Sequence, residues 1–473
     1  MLGNGIRRRH SMALNSIPAL AIALFGVGPG ARAGWAQHEG HGGALPPHES
    51  MPADTTSAHP KSARTPSTRL FQSDMTTMAG MTAENHPEPS ARRWQWMSLG
   101  LVRLVYNWQG GESGTDGVES TNWAMTMAHR PLGDGRITFM LMNSLEPATI
   151  PDRGSPQLFQ TGETFDDEPL VDRQHPHDFF MHLSMTYRQA IASEGVVWAQ
   201  LAPVGEPALG PTAFMHRASS GDNPTAPLGH HWQDSSHITS NVVTVGGGWR
   251  WLILESSAFH GEEPDEERWD LDGGRLDSAS GRLKLRFDPA WSAQVSYGYL
   301  HDPEALDPGD LHRTTASVSY GAAGDRSLAG TFVWGRNREN HGTSDSFLLE
   351  GTWQMTHFDQ TFARLEHVDK DQELLATKEA DPGNESLVLA DITAFTLGYL
   401  RTVGSPWGLA VGVGGDVTLY GFPSTLEAAY GEHPLSSHVF LRGRWGEAHA
   451  GSGHGGEGSV TPHAHAGDDH RGH

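Results

Sequence analysis

Cysteine is absent from this 473-residue chain, so it has neither a disulfide framework nor a lipoprotein attachment site, and its stability must come from backbone hydrogen bonds and burial. Downstream of the first residues no apolar run is long enough to cross a bilayer as a helix, which excludes a helical membrane protein. Cations are scarce: 33 Lys and Arg face 56 Asp and Glu, and loss of Arg7, Arg8, Arg9 and Arg32 with a leader takes the net charge from -23 to about -27. Such a chain repels nucleic acid. Fixed ligand spacings of the zinc-finger or HExxH kind are missing as well. Hydrophobic residues amount to 37%, low for a helical membrane protein but normal where only every second strand residue meets lipid.

What is present begins with a destination signal. Arg7, Arg8 and Arg9 precede the apolar run from Ala19 to Val27, and small residues follow at Ala31, Ala33, Gly34 and Ala36. This is the pattern of a secretory signal peptide over residues 1–36, cleaved after Ala36 or, as the alternative, after Ala33. Residues 37–93 are rich in His, Pro, Ser and Thr without a sustained period and are expected to form a disordered periplasmic lead carrying Met75, Met78 and Met81. Residues 447–473 make a Gly/His-rich tail, also expected to be disordered, with His463 and His465 among its imidazoles.

Residues 94–446 alternate apolar and polar side chains in about sixteen runs. The runs begin near residues 94, 122, 136, 178, 196, 239, 249, 278, 291, 313, 326, 345, 360, 390, 407 and 436. Trp94, Trp96, Val102, Leu104, Tyr106 and Trp108 share one face of the first, with Gln95, Arg103 and Asn107 on the other. Trp96 and Tyr106 stand about 25 Å apart along a tilted strand, the height of the apolar band between two aromatic girdles. Connections alternate short and long, the long ones being 147–177, 205–238, 260–277, 301–312 and 367–388. A soluble sandwich has no reason to sort its loops by length. The pattern therefore predicts an all-β fold, a transmembrane antiparallel β-barrel of about sixteen strands in the outer membrane of a Gram-negative bacterium, with short turns and both termini in the periplasm.

Strand parity predicts the lumen. Phe179, Met181, Leu183, Met185 and Tyr187 should face lipid, leaving Asp178, His182, Ser184, Thr186 and Arg188 inside. The same reasoning puts Arg282, Lys284, Arg286, Glu350, Arg364, Glu366, His438, Arg442 and Arg444 on the inner face. These cations either pair with wall carboxylates and acidic loops folded inward, or set a lumen field that favours anions.

Two long loops hold the densest chemistry. His175 and His177 lead into one strand, while His216, His230, His231 and His237 lie in the next long loop. Imidazoles suit copper, zinc or nickel, and they equally suit hydrogen bonding that holds a loop as a fixed plug. Thioethers at Met75, Met78 and Met81 suit Cu(I), and the imidazoles of His463 and His465 suit Cu(II), zinc or nickel.

The runs Asp172-Arg173-Gln174-His175-Pro176-His177-Asp178, Gly205-Glu206-Pro207-Ala208-Leu209-Gly210-Pro211, Phe214-Met215-His216-Arg217, Gly229-His230-His231-Trp232 and Gly261-Glu262-Glu263-Pro264-Asp265-Glu266 resemble those of a family of uncharacterised Gram-negative outer-membrane proteins. The resemblance covers roughly residues 94–446. Members often stand beside genes for copper or other heavy-metal resistance, which implies a metal-linked role and periplasmic metal-handling partners. The Met-rich lead of that family is thin here, and the His-rich tail is additional.

The expected function is passage or binding of small ions or solutes by a barrel seated in outer-membrane lipid, linked to copper-type metal tolerance. The alternative is a general porin with a loop-built constriction and no metal chemistry. An outer-membrane hydrolase is a second alternative, since His182, Ser184 and Asp178 share an inner face, but every polar inner face contains such pairs. A TonB-dependent receptor is less favoured still, because its plug domain does not fit in residues 37–93. No catalytic residue is expected.

Overall fold

A strand buried on one face and bathed in lipid on the other must satisfy its backbone within the sheet, and a sheet without edges does so completely. The computed structural model describes residues 93–166, 168–191, 193–234, 239–304, 309–322, 327–379 and 388–446. The signal peptide, Met75, Met78, Met81, His237, His463 and His465 lie outside the described residues.

Among the described residues sixteen long strands form the wall: β1 Gln95–Gln109, β2 Asn122–Leu132, β3 Gly135–Asn143, β4 Phe180–Ile191, β5 Gly195–Gly205, β6 Thr239–Trp249, β7 Leu252–Phe259 and β8 Ser278–Arg286, then β9 Trp291–Leu300, β10 Leu311–Ala322, β11 Leu328–Arg338, β12 Thr343–Gln354, β13 Asp359–Asp371, β14 Leu389–Gly404, β15 Ala410–Gly421 and β16 Leu435–Trp445. Each pairs antiparallel with the next, and β16 returns to β1 from Gly100↔Trp445 to Gln109↔Ser436, closing the barrel. Every expected strand start falls within three residues of an observed one.

The outer surface is apolar in the middle and aromatic at both rims. Val102, Leu104, Leu141, Leu201, Val245, Leu254 and Val295 are exposed along the belt. Trp96, Trp249, Trp251, Phe287, Trp291, Trp353 and Trp407 ring the short-turn end, and Tyr106, Trp108, Tyr297 and Phe347 the long-loop end. So much exposed apolar surface has no place in water. A closed barrel with such a belt is a Gram-negative outer-membrane protein, its short turns facing the periplasm.

Parity holds along most strands and fails where the chain inserts a residue. The ladder between β3 and β4 pairs Asn143 with Phe180 but Met142 with His182, so Met181 is the extra residue of a bulge. It therefore turns inward, 4% exposed, rather than to lipid as parity predicts. Phe179 is corrected too: it precedes β4 and stacks on Trp269 of a long loop, with ring centroids 5.6 Å apart. The connection expected at 367–388 is shorter, because β13 runs to Asp371, whose carboxylate then caps the helix Gln372–Thr377. The outer ends of the loops share an apolar core of Leu158, Phe159, Leu228, Leu375, Leu426 and Tyr430, in which Phe159 stacks on Tyr430 at 4.1 Å.

Candidate functional site: a loop in the lumen and a histidine cluster

The connection between β5 and β6 does not stay outside. Its residues from Pro207 onward are largely buried, and they bond to the inner wall on many sides. Gly210 donates its backbone N–H to Ser296 Oγ at 2.8 Å and accepts from Arg282 Nη1 at 2.8 Å. Arg217 Nε donates to Glu350 Oε1 at 2.7 Å, and Arg364 Nη2 to Ser220 Oγ at 2.6 Å. Further along, Asp222 pairs with Arg442, and the Gly221 carbonyl accepts from Arg103 at 2.5 Å and Arg444 at 3.0 Å. The returning limb is held by Glu366, which accepts from Leu228 N at 2.6 Å, and by Ser344, which accepts from Trp232 Nε1 at 2.7 Å. Gly335 of β11 permits this approach, since a Cβ there would collide with the Trp232 carbonyl.

The basic inner wall is thus largely consumed by pairing. Arg282 Nε and Lys284 Nζ each lie 2.9 Å from Glu255 Oε2, and Arg364, Arg442 and Arg444 hold the inserted loop. His438 pairs with Asp416 at 2.7 Å. Burial strips solvent from these ions, so each needs its partner. Arg188 and Arg286, half-buried near the periplasmic ends of β4 and β8, differ: neither has a carboxylate partner among the described residues, and Arg188 lies over the Trp198 ring at 5.4 Å.

His182 Nε2 and Ser184 Oγ are 2.8 Å apart, as their shared face suggests. Asp178, however, accepts from Arg268 Nη1 at 3.1 Å, and His182 Nδ1 has no partner among the described residues. Among the described residues no carboxylate orients this imidazole. Around the pair lies a set of residues that the sequence reading passed over. Met97, Met125, Met127, Met140, Met142, Met181 and Met215 pack together with Leu101 and Trp123. The signal was available as inner-face parity at Met125, Met127, Met140 and Met142.

The histidines divide into three environments. His177 pairs with Glu146 at 2.7 Å, and His216 sits edge-on to Trp123 at 4.9 Å. His175, His230 and His231 converge: one ring nitrogen from each lies within 4.8 Å of the other two, and all three side chains are buried. His175 comes from the loop before β4, whereas His230 and His231 come from the short helix His230–Gln233 of the inserted loop. Gly162, at φ +124, lets the chain pass against the His231 ring, where a Cβ would come within 2.8 Å.

Two carboxylates flank this cluster. Glu163 Oε1 lies 2.7 Å from His175 Nε2, and Glu263 Oε1 lies 3.3 Å from His231 Nδ1. Arg268 donates to the other oxygen of Glu163 at 2.8 Å. Burial pushes the His231 imidazole down to about 4, against the pull of Glu304 and Glu163, so the ring is neutral at ordinary pH. Burial also works to raise Glu163, but His175 and Arg268 outweigh it and hold that carboxyl well below its usual range. Glu263 goes the other way, raised by burial and by Glu163. Neither glutamate carries a spacing motif.

No family model matches the chain, and no curated protein is similar to it. Solved structures do resemble it. Over 76% of this chain and 99% of the other it is similar to OmpF of Salmonella typhi in complex with daunomycin, at 9% identity and a TM-score of 0.46. OprB of Pseudomonas putida is similar over 75% of this chain and 94% of its own, at 10% identity and TM-score 0.43. OmpT of Vibrio cholerae is similar over 74% and 98%, at 9% identity and TM-score 0.42. Likeness this distant says nothing about solute or chemistry, and nothing in it supports the association with metal resistance.

Proposed function

We propose that this protein lets small ions or solutes cross the outer membrane through a bore narrowed by its own loop, residues 206–234. The observation that carries the reading is the position of that loop, bonded to Ser296 and Arg282 at one end and to Arg442 and Arg444 further along. A bore crossed in this way selects by size at the constriction. Arg188 and Arg286, without carboxylate partners among the described residues, make the periplasmic mouth positive and favour anions there. Swelling of proteoliposomes in solutes of graded size tests this: entry of the smallest and exclusion of larger ones is expected. Equal exclusion of every solute by folded protein would end the reading.

A second reading, metal handling linked to copper-type tolerance with periplasmic metal-handling partners, is favoured by the convergence of His175, His230 and His231. Cells lacking the protein should then tolerate less copper, zinc or nickel. Unchanged tolerance would remove that role.

A further inference from the structure

We propose that His175, His230 and His231 bind one borderline divalent transition-metal ion, of the zinc, nickel or copper(II) class, which clips the lumen loop to the loop preceding β4. The inference deepens the metal reading and rests on it, while standing apart from solute passage. Three observations converge.

The first is donor type and placement. Three imidazoles from two loops bring ring nitrogens within 4.8 Å of one another in a buried site. Tetrahedral ligation at about 2.1 Å needs nitrogens roughly 3.4 Å apart, so closure asks for shifts of about an ångström, within reach of side-chain rotation. Nitrogen donors select zinc, nickel and copper over magnesium and calcium, which demand oxygen.

The second is the surround. Two carboxylates stand beside these imidazoles, Glu163 Oε1 at 2.7 Å from His175 Nε2 and Glu263 Oε1 at 3.3 Å from His231 Nδ1, close enough to orient them. A water would complete a four-coordinate shell. The charge of a dication is offset by the same two groups, with Arg268 on Glu163 limiting the excess.

The third is access. A cavity of about 50 Å3, lined in part by His175, Gln174, His177 and Glu146, borders the cluster and has room for more than one water. An ion reaching this cavity would have room for part of its hydration shell beside His175.

Bound metal would join the loop preceding β4 to the inserted loop, two segments whose ligands stand 55 residues or more apart in sequence. Their relative position would then depend on occupancy. The site is therefore placed to set how firmly the constriction is held.

The test uses the full-length folded protein and two probes, Zn2+ for affinity and Co2+ for its visible absorption, which is intense only in a tetrahedral site. Wild type is expected to bind one equivalent of Zn2+ far more tightly than Mg2+ and to give the Co2+ band. His175→Gln and His231→Gln should each lose both, whereas a His463→Gln/His465→Gln chain should keep both. Glu163→Gln should keep the band and bind about 10- to 100-fold more weakly, which also serves if a histidine variant fails to fold. Wild-type binding unchanged in the folded His175→Gln and Glu163→Gln chains would overturn the site, as would the lack of any Zn2+ preference in wild type. Loss of metal tolerance is a separate readout: an unchanged tolerance phenotype beside a confirmed Zn2+ equivalent would refute the role and leave the site standing.

Discussion

Arg217 in the lumen loop donates Nε to Glu350 Oε1 at 2.7 Å, while Arg364 of β13 donates Nε to the second oxygen of the same carboxylate at 3.2 Å. Glu350 is thus the shared counter-charge of a loop cation and a wall cation, all three deeply buried. Removing it leaves Arg364 without a carboxylate partner among the described residues and Arg217 with Asp234 alone, at 3.2 Å. Removing Arg364 leaves Glu350 paired with Arg217.

Glu350→Ala should therefore cost about 3–5 kcal/mol, the usual loss when one member of a buried ionic group is deleted, and Arg364→Ala, which leaves Glu350 on Arg217, should cost less. Urea unfolding of the detergent-folded barrel, followed by tryptophan fluorescence, measures both. Equal losses would contradict the sharing of Glu350 by the two cations.

Asp234 gives a pH dependence of known sign. Burial pushes its carboxyl up to about 6, with Arg217 pulling it back and Glu350 adding to the rise. An acid whose folded value exceeds its free value binds its proton more tightly when folded, so stability falls as pH rises from about 4 through about 6. Asp234→Asn lacks this penalty. Relative to that variant, wild type should gain about 1 kcal/mol between pH 7 and pH 5, read as the difference in urea midpoints multiplied by the slope. A difference independent of pH would contradict the assignment.

The inner-wall cations should separate into two classes in planar-bilayer recordings. Arg188→Gln with Arg286→Gln should lower anion preference and leave stability nearly unchanged. Arg282→Gln with Lys284→Gln should do the reverse, because Glu255 already neutralises that pair and loses its partners. A selectivity change confined to the second variant would place the field in the wrong part of the bore.

The wall was legible in the sequence because its signals are local. Alternation at Trp96 to Trp108 and the sorting of connections by length need no knowledge of distant contacts, and both survive in the sixteen strands and their closure. Met181 was misread because a bulge inserts a residue without marking it: the ladder merely skips from Phe180 to His182. The lumen loop was harder still. Gly221 meets Arg103 across 118 positions and Arg444 across 223, and no local pattern encodes such pairs. The same holds for the histidines. Six loop imidazoles stood as equal candidates, and only folding separates His175, His230 and His231 from His177 on Glu146 and His216 on Trp123, with His237 outside the described residues.

The central claim is that the inserted loop narrows a conducting bore. Asp222, buried among Arg442, Arg444 and Gln360, is its deep anchor and belongs to no wall strand. Single-channel conductance of wild type and Asp222→Ala, with heat-modifiable gel migration confirming that both barrels are folded, tests the claim most directly. The account predicts small steps in wild type and larger or more frequent ones in the variant. Identical conductance in the two proteins, or none in either, would contradict it.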